Sequence, residues 1–236
     1  MSAARPPEGA LTGAACEGTP PGNAQAWQAA GVRHELLMRV LPVLRHDMAG
    51  PLSVARMGNT VLKRYLMAQP LDTAQCQTRI AQNDEQLGQL VSAIRALNRW
   101  DVESGERAAP AALWSMALDI ARPALEMHGL RLQPEGAAPP ADWPELVPAR
   151  ALYAALGALN YLQDGATAPS AISIQPSGDG LLLQASPTPD PSPEEPRPSG
   201  ARPLRIDAAS LACLAEDLEW PVEIREASVL LRRPPQ

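Results

Sequence analysis

Residues 45–57 read RHDMAGPLSVARM, and the fold turns on whether a stretch holding His, Asp, Gly and Pro can lie inside a helix. The surroundings say that it does. From about Val32 onward Leu37, Leu41, Leu44, Met48, Leu52, Ala55, Leu62 and Leu66 recur at helical steps, a stripe that predicts one long helix. At about 100° per residue His46 lies roughly 200° from both Leu44 and Met48 and faces away from that stripe. Pro51 lacks the N–H that would bond the Asp47 carbonyl, and its ring crowds the same carbonyl, so the helix is expected to bend just below the histidine. A lone solvent-facing histidine is ordinarily inert; one followed by an acid and a helix-perturbing Gly50-Pro51 pair is a candidate site.

Working outward, Gln69-Pro70-Leu71-Asp72-Thr73 breaks the chain and offers Asp72 or Thr73 as an N-cap. A second helix follows, with heptad positions Ile80, Leu87, Ile94 and Asn83, Leu90, Leu97 running to about Trp100. Two long helices joined by a tight turn make an antiparallel hairpin. One hairpin cannot bury its own stripe, so two copies closing a four-helix bundle, a homodimer, are expected. Upstream, residues 1–28 carry no apolar period and are expected to form a flexible tail.

Downstream the texture changes. Pro110 to His128 predicts a helix, GLRLQPE a short strand, and AAPPADWP a loop. Pro148 to about Gln163 predicts an alanine-rich helix, and AISIQ and LLLQAS alternate around SGDG, a hairpin with Asp-Gly at its tip. Residues 187–203 hold seven prolines in seventeen positions and are expected to be an unstructured loop. Asp207 caps a last helix reaching about Glu219, and VEIR and SVLLRR close the chain as a strand pair. The expected fold class is α+β: residues 29–103 as a helical hairpin, residues 104–236 as a small α/β sandwich.

Composition bounds the functions available. With 236 residues and 45% hydrophobic content the chain can bury a core, and the absence of phenylalanine leaves that core to aliphatic side chains. A net charge of −6 argues against nucleic acid as a partner. Cys16, Cys76 and Cys213 are too few and too scattered for a disulfide framework or a zinc site. No apolar run is long enough to span a membrane, the first thirty residues lack the order of a signal peptide, and the cytoplasm is the expected location.

His46, Asp47, Pro51 and Leu52 together resemble the histidine box of bacterial sensor histidine kinases, in which a phospho-accepting His is followed by Glu or Asp, then by Pro and Leu. The order of elements over residues 33–233 is similar as well: the hairpin looks like the dimerisation and phosphotransfer domain, and Pro110 onward looks like the ATP-binding domain. The resemblance implies that the His46 imidazole is the nucleophile and that Asp47 orients it and takes up its proton.

The nucleotide site of that family is missing. Gly165 or Leu162, depending on register, falls where a magnesium-binding Asn belongs, and Asn160 sits one or two turns early. Pro187-Thr188-Pro189-Asp190-Pro191 stands in place of Asp-x-Gly-x-Gly, withholding both the freedom and the donors of glycine. Only Gly200 remains of a glycine-rich phosphate loop. The chain therefore resembles the kinase-derived dimeric histidine phosphotransferases, which exchange phosphate between receiver-domain aspartates without using ATP. That resemblance implies response-regulator receiver domains as partners, with a hybrid histidine kinase as a further candidate, and no cofactor on this chain, the Mg²⁺ sitting on the receiver. Residues 33–66 hold six bases against two acids, and Arg39, Arg45 and Arg56 are the expected docking residues. Gly50 occupies the position where phosphatase-competent kinases carry Thr or Asn, which speaks against strong phosphatase activity. The rivals are a non-catalytic pseudokinase scaffold and a divergent active kinase. Asn83 is either a register-setting polar residue or a polar gap near the bundle surface, Trp100 and Trp114 are expected to pack between the two halves, and His34 and His128 match no pattern.

Overall fold

The computed structural model describes residues 21–133, 138–165, 169–187 and 204–235. Five α-helices and a five-stranded mixed sheet account for most of them. Helix α1 spans Pro21–Met67 and runs unbroken through Pro42 and Pro51. Residues 21–28, expected in a flexible tail, are therefore helical. Their sequence has no apolar period, and the contacts that hold them are tertiary: the Gln25 side chain bonds Glu216, and the Cys213 thiol donates to the Gln25 carbonyl at 3.4 Å. The rest of the expected tail, residues 1–20, lies outside the described residues, as does most of the proline-rich segment.

Helix α2 (Thr73–Ala96) is capped by Asp72, whose carboxylate accepts from the Gln75 N–H at 3.0 Å, and its last turn tightens into a 3₁₀ segment, Leu97–Trp100. It packs along the second half of α1. Gly58 of α1 faces Asn83 of α2 so closely that a Cβ at residue 58 would overlap the Asn83 amide, which in turn donates to Asn59 Oδ1 at 2.6 Å. Asn83 thus acts at the helix–helix contact and is no polar gap. Of the two heptad rows on α2, that of Asn83, Leu90 and Leu97 is the less exposed where it meets α1, whereas Ile80, Leu87, Val91 and Ile94 are about half exposed.

Helix α3 (Pro110–Met127) opens with Pro at its first turn, where the missing N–H has no helical partner to lose. It closes at Gly129, whose φ of +73° lets the Leu130 N–H return to the Leu125 carbonyl at 2.9 Å. Strand β1 (Arg131–Gln133) pairs in parallel with β2 (Pro169–Ser177), and β2 turns back antiparallel into β3 (Gly180–Pro187). The tip of that hairpin is Gly178-Asp179, one residue earlier than the expected Asp-Gly: Gly178 adopts φ +61°, while Gly180 already pairs with Ser177 and has no room for a side chain against the Leu231 carbonyl. Strands β4 (Val222–Arg225) and β5 (Ser228–Leu231) complete the order β1-β2-β3-β5-β4.

Alternate residues of the sheet, Ile172, Ile174, Leu181, Leu183, Val229 and Leu231, are fully buried, as the period of two requires when one face is covered. Helix α4 (Pro148–Asp164) lies on that face and is buried nearly all round, because α1, α3 and α5 (Ala208–Asp217) enclose its other sides. Its alanines and Gly157 permit this. A Cβ at Gly157 would stand 2.8 Å from Leu214 Cδ2 of α5. Val32, Leu36, Val40 and Leu44 from the first half of α1 join the same core as α3, α4, α5 and the sheet. A boundary drawn at residue 103 thus divides side chains that share one hydrophobic interior.

Candidate functional site

His46 projects from the middle of α1 with 87% of its side chain exposed, and Asp47 Oδ1 lies 3.5 Å from its Nδ1. The exposure follows from the stripe: Leu44 is buried beneath α1, and His46 lies on another side of the same turn. Gly50, one turn on, has open space where a Cβ would stand, so nothing crowds the imidazole from below. Pro51 is half-buried and sits within the helix; the Asp47 carbonyl loses the helical partner that an N–H at residue 51 would supply.

Beside this pair opens a cleft of about 840 Å³. One wall is α1, through Pro42, Val43, Leu44, His46 and Asp47; the other is α3, through Ala112, Ser115, Met116, Asp119, Ile120 and Pro123, with Ala96 and Trp100 completing it. It is apolar inside, with an imidazole and two carboxylates among its lining groups. Trp100 is fixed edge-on against Tyr153 of α4, ring centroids 5.4 Å apart, which ties the end of the helical pair to the α/β layer. Trp114 is buried in α3. Burial pushes the Tyr153 phenol up, with Arg33 opposing.

The three arginines expected to dock a partner divide. Arg45 and Arg56 are exposed. Arg39 is not: only 9% of its side chain is accessible, Nε bonds Glu35 at 2.9 Å, Nη1 bonds Asn160 Oδ1 at 2.8 Å, and Nη2 reaches Asp164 and the Leu204 carbonyl, both at 2.8 Å. Arg39 is therefore withdrawn as a docking residue. Acids and carbonyls from α4 and residue 204 claim it, and a stripe read along α1 alone has no access to partners more than a hundred residues away. Asn160, the asparagine late in α4, has both ends of its amide committed, Oδ1 to Arg39 and Nδ2 to the Leu156 carbonyl at 2.8 Å. Among the described residues no cluster of three His, Cys, Asp or Glu side chains suits a metal ion.

Other singled-out residues fall outside the site. His34 is exposed on α1 and His128 ends α3. Cys76 and Cys213 are buried free thiols, and burial together with Asp217 and Glu216 pushes the Cys213 thiol up, away from the thiolate form. Cys16 lies outside the described residues. No described helix is long and apolar enough to cross a membrane.

Several residues around His46 went unnoticed in the sequence, Ser115, Met116 and Asp119 on α3 and Arg95 and Arg99 near the end of α2. The last two were within reach of a simple count. A hairpin turning at about residue 70 sets residue 46 level with about residue 94, next to Arg95, and Ala96 lines the same cleft as His46. The α3 wall has no such signal, since it depends on how the α/β layer lies against α1. No protein-family model matches this chain, and no curated protein matches it significantly in sequence.

Proposed function

We propose that the protein is a histidine phosphotransferase of a bacterial phosphorelay, carrying a phosphoryl group on His46 between the aspartates of receiver domains, with no ATP-dependent kinase step of its own. The observation that carries this reading is the exposed His46 imidazole with Asp47 at its Nδ1. A carboxylate there favours the tautomer with a proton on Nδ1 and leaves the Nε2 lone pair outward. Nε2 attacks the phosphorus of the receiver's aspartyl phosphate in line, the P–O bond to the aspartate breaks, and that carboxylate departs with its electron pair. Asp47 balances the charge that develops on the ring. The receiver supplies the Mg²⁺ that neutralises the phosphoryl oxygens, and the reverse reaction loads a second receiver.

Two further features support the reading. Both ends of the Asn160 amide are taken, by Arg39 and by the Leu156 carbonyl, so this asparagine is not free to hold a metal as an active kinase of that family would require. The half-exposed row Ile80, Leu87, Val91 and Ile94 along α2 suits a second copy of the hairpin, closing a homodimeric four-helix bundle. Arg45 and Arg56 remain candidates for contact with the receiver.

The test is phosphohistidine formation, scored as acid-labile, base-stable label on the intact protein, with Mg-ATP alone and with a panel of phosphorylated receiver domains. Label from a receiver and none from ATP, lost in His46→Gln, is expected. Label from ATP would restore the kinase, and no label from either source, with the fold intact, would leave the pseudokinase scaffold.

A further inference from the structure

Ala96, which closes the His46 cleft, also lines a second recess of about 470 Å³ built by Ser92, Arg95, Asn98 and Arg99, with Glu106. Its character is opposite to that of the cleft, polar where the cleft is apolar. Arg33, Arg39, Arg150, Arg232 and Arg233 each rest on a carboxylate. Arg95 and Arg99 do not: among the described residues neither makes an ion pair. Arg95 is exposed, and Arg99 Nη1 lies 3.6 Å from the sulfur of Met116, a residue of the cleft wall. Two guanidinium groups without an ion pair among the described residues thus share a recess with one carboxylate, Glu106, and adjoin the His46 cleft through Ala96 and Met116.

We infer that the cleft and this recess form one docking surface, in which the cleft receives apolar side chains of the receiver and Arg95 and Arg99 receive the carboxylates that surround its phosphoaspartate. The inference rests on the phosphotransfer reading and names the contacts that reading lacks. The chemistry of the donor dictates the match: Mg²⁺ on an aspartyl phosphate is held by one or two carboxylates together with the phosphoryl oxygens, and these negative groups outnumber the metal's charge, so the face a receiver turns to His46 is anionic. Asp47 and Asp119 line the cleft and repel such a face, whereas in the recess Arg95 and Arg99 outweigh Glu106 and attract it, which sets the partner's acidic side over α2 and its apolar side over α3.

The experiment measures transfer from a phosphorylated receiver to the full-length protein, alongside labelling by phosphoramidate, a donor small enough to reach His46 without docking. In Arg95→Ala/Arg99→Ala, transfer from the receiver is expected to fall about tenfold or more at low ionic strength, with the gap narrowing in high salt, while phosphoramidate labels at the wild-type rate. Because Arg99 packs on Met116, Arg95→Ala alone is read in parallel and is expected to lower receiver transfer about threefold. Receiver transfer unchanged in both variants overturns the docking surface and leaves His46 as the phosphate carrier. Wild type labelled by neither donor overturns the phosphotransfer reading, and the docking surface with it.

Discussion

The two halves of α1 are built from similar residues and have opposite environments. Before His46, Leu36, Val40 and Leu44 are 0%, 4% and 8% exposed; beyond it, Leu52, Met57 and Leu66 are 46%, 69% and 56% exposed. The first half lies in the α/β layer, bonded to α5 through Gln25–Glu216 and Arg33–Asp217 and to α4 through Arg39. Among the described residues the second half packs chiefly against α2. His46 stands where one regime gives way to the other. The first half needs no further partner; the second, with the exposed row of α2, retains an apolar surface that one chain does not cover.

The sharpest way to break the comparison is to charge that surface. Leu87→Asp is expected to convert a particle of twice the 25.1 kDa chain mass into one of 25.1 kDa, read by light scattering, because a carboxylate in a bundle core has no partner. A wild-type protein already monomeric would show that the exposed row has another purpose. Next in size, Arg39→Ala should lower stability by about 3–5 kcal/mol in urea titration, since it removes the buried guanidinium on which Glu35, Asp164 and the Asn160 amide converge. A loss below about 1 kcal/mol would mean that the first half of α1 is held by apolar contact alone.

The smallest effect concerns α5, the helix on which the first half rests. Asp207 accepts from the Ser210 N–H at 2.8 Å, and that bonding holds its carboxyl below the ordinary value of 3.8. A lowered folded-state value stabilises the fold above the ordinary value and ceases to do so as pH falls through the folded one. Asp207→Ala should therefore lose about 1 kcal/mol at neutral pH, as N-cap removals do. The difference from wild type should shrink once the pH is below both values. A gap that stays constant to acid pH would assign the loss to helix propensity.

Local chemistry made much of this readable in the sequence. Pro110 and Pro148 mark helix starts, Asp72 and Asp207 are caps, and a glycine gives the β2–β3 turn its left-handed residue. The exposure of His46 followed from helical periodicity alone. What escaped depended on distant partners. Residues 21–28 are helical without any apolar pattern, Arg39 is drawn inward by acids of its own chain, and the α3 wall of the cleft reflects how α1 meets the α/β layer. The stripe on α1 was itself read as one continuous face, although its lower part is half exposed.

The contact at Gly58 has a consequence for His46. A Cβ at residue 58 would displace the Asn83 amide from its place against α1 and from Asn59. The Gly58–Asn83 contact, with the Asn83–Asn59 hydrogen bond, therefore favours one register of the hairpin. His46 lies twelve residues away on the same helix, about 18 Å along its axis, and its height relative to Ala96, Arg95 and Arg99 is gauged from that point. The height at which the imidazole meets the end of α2 is thus referred to a position without a side chain.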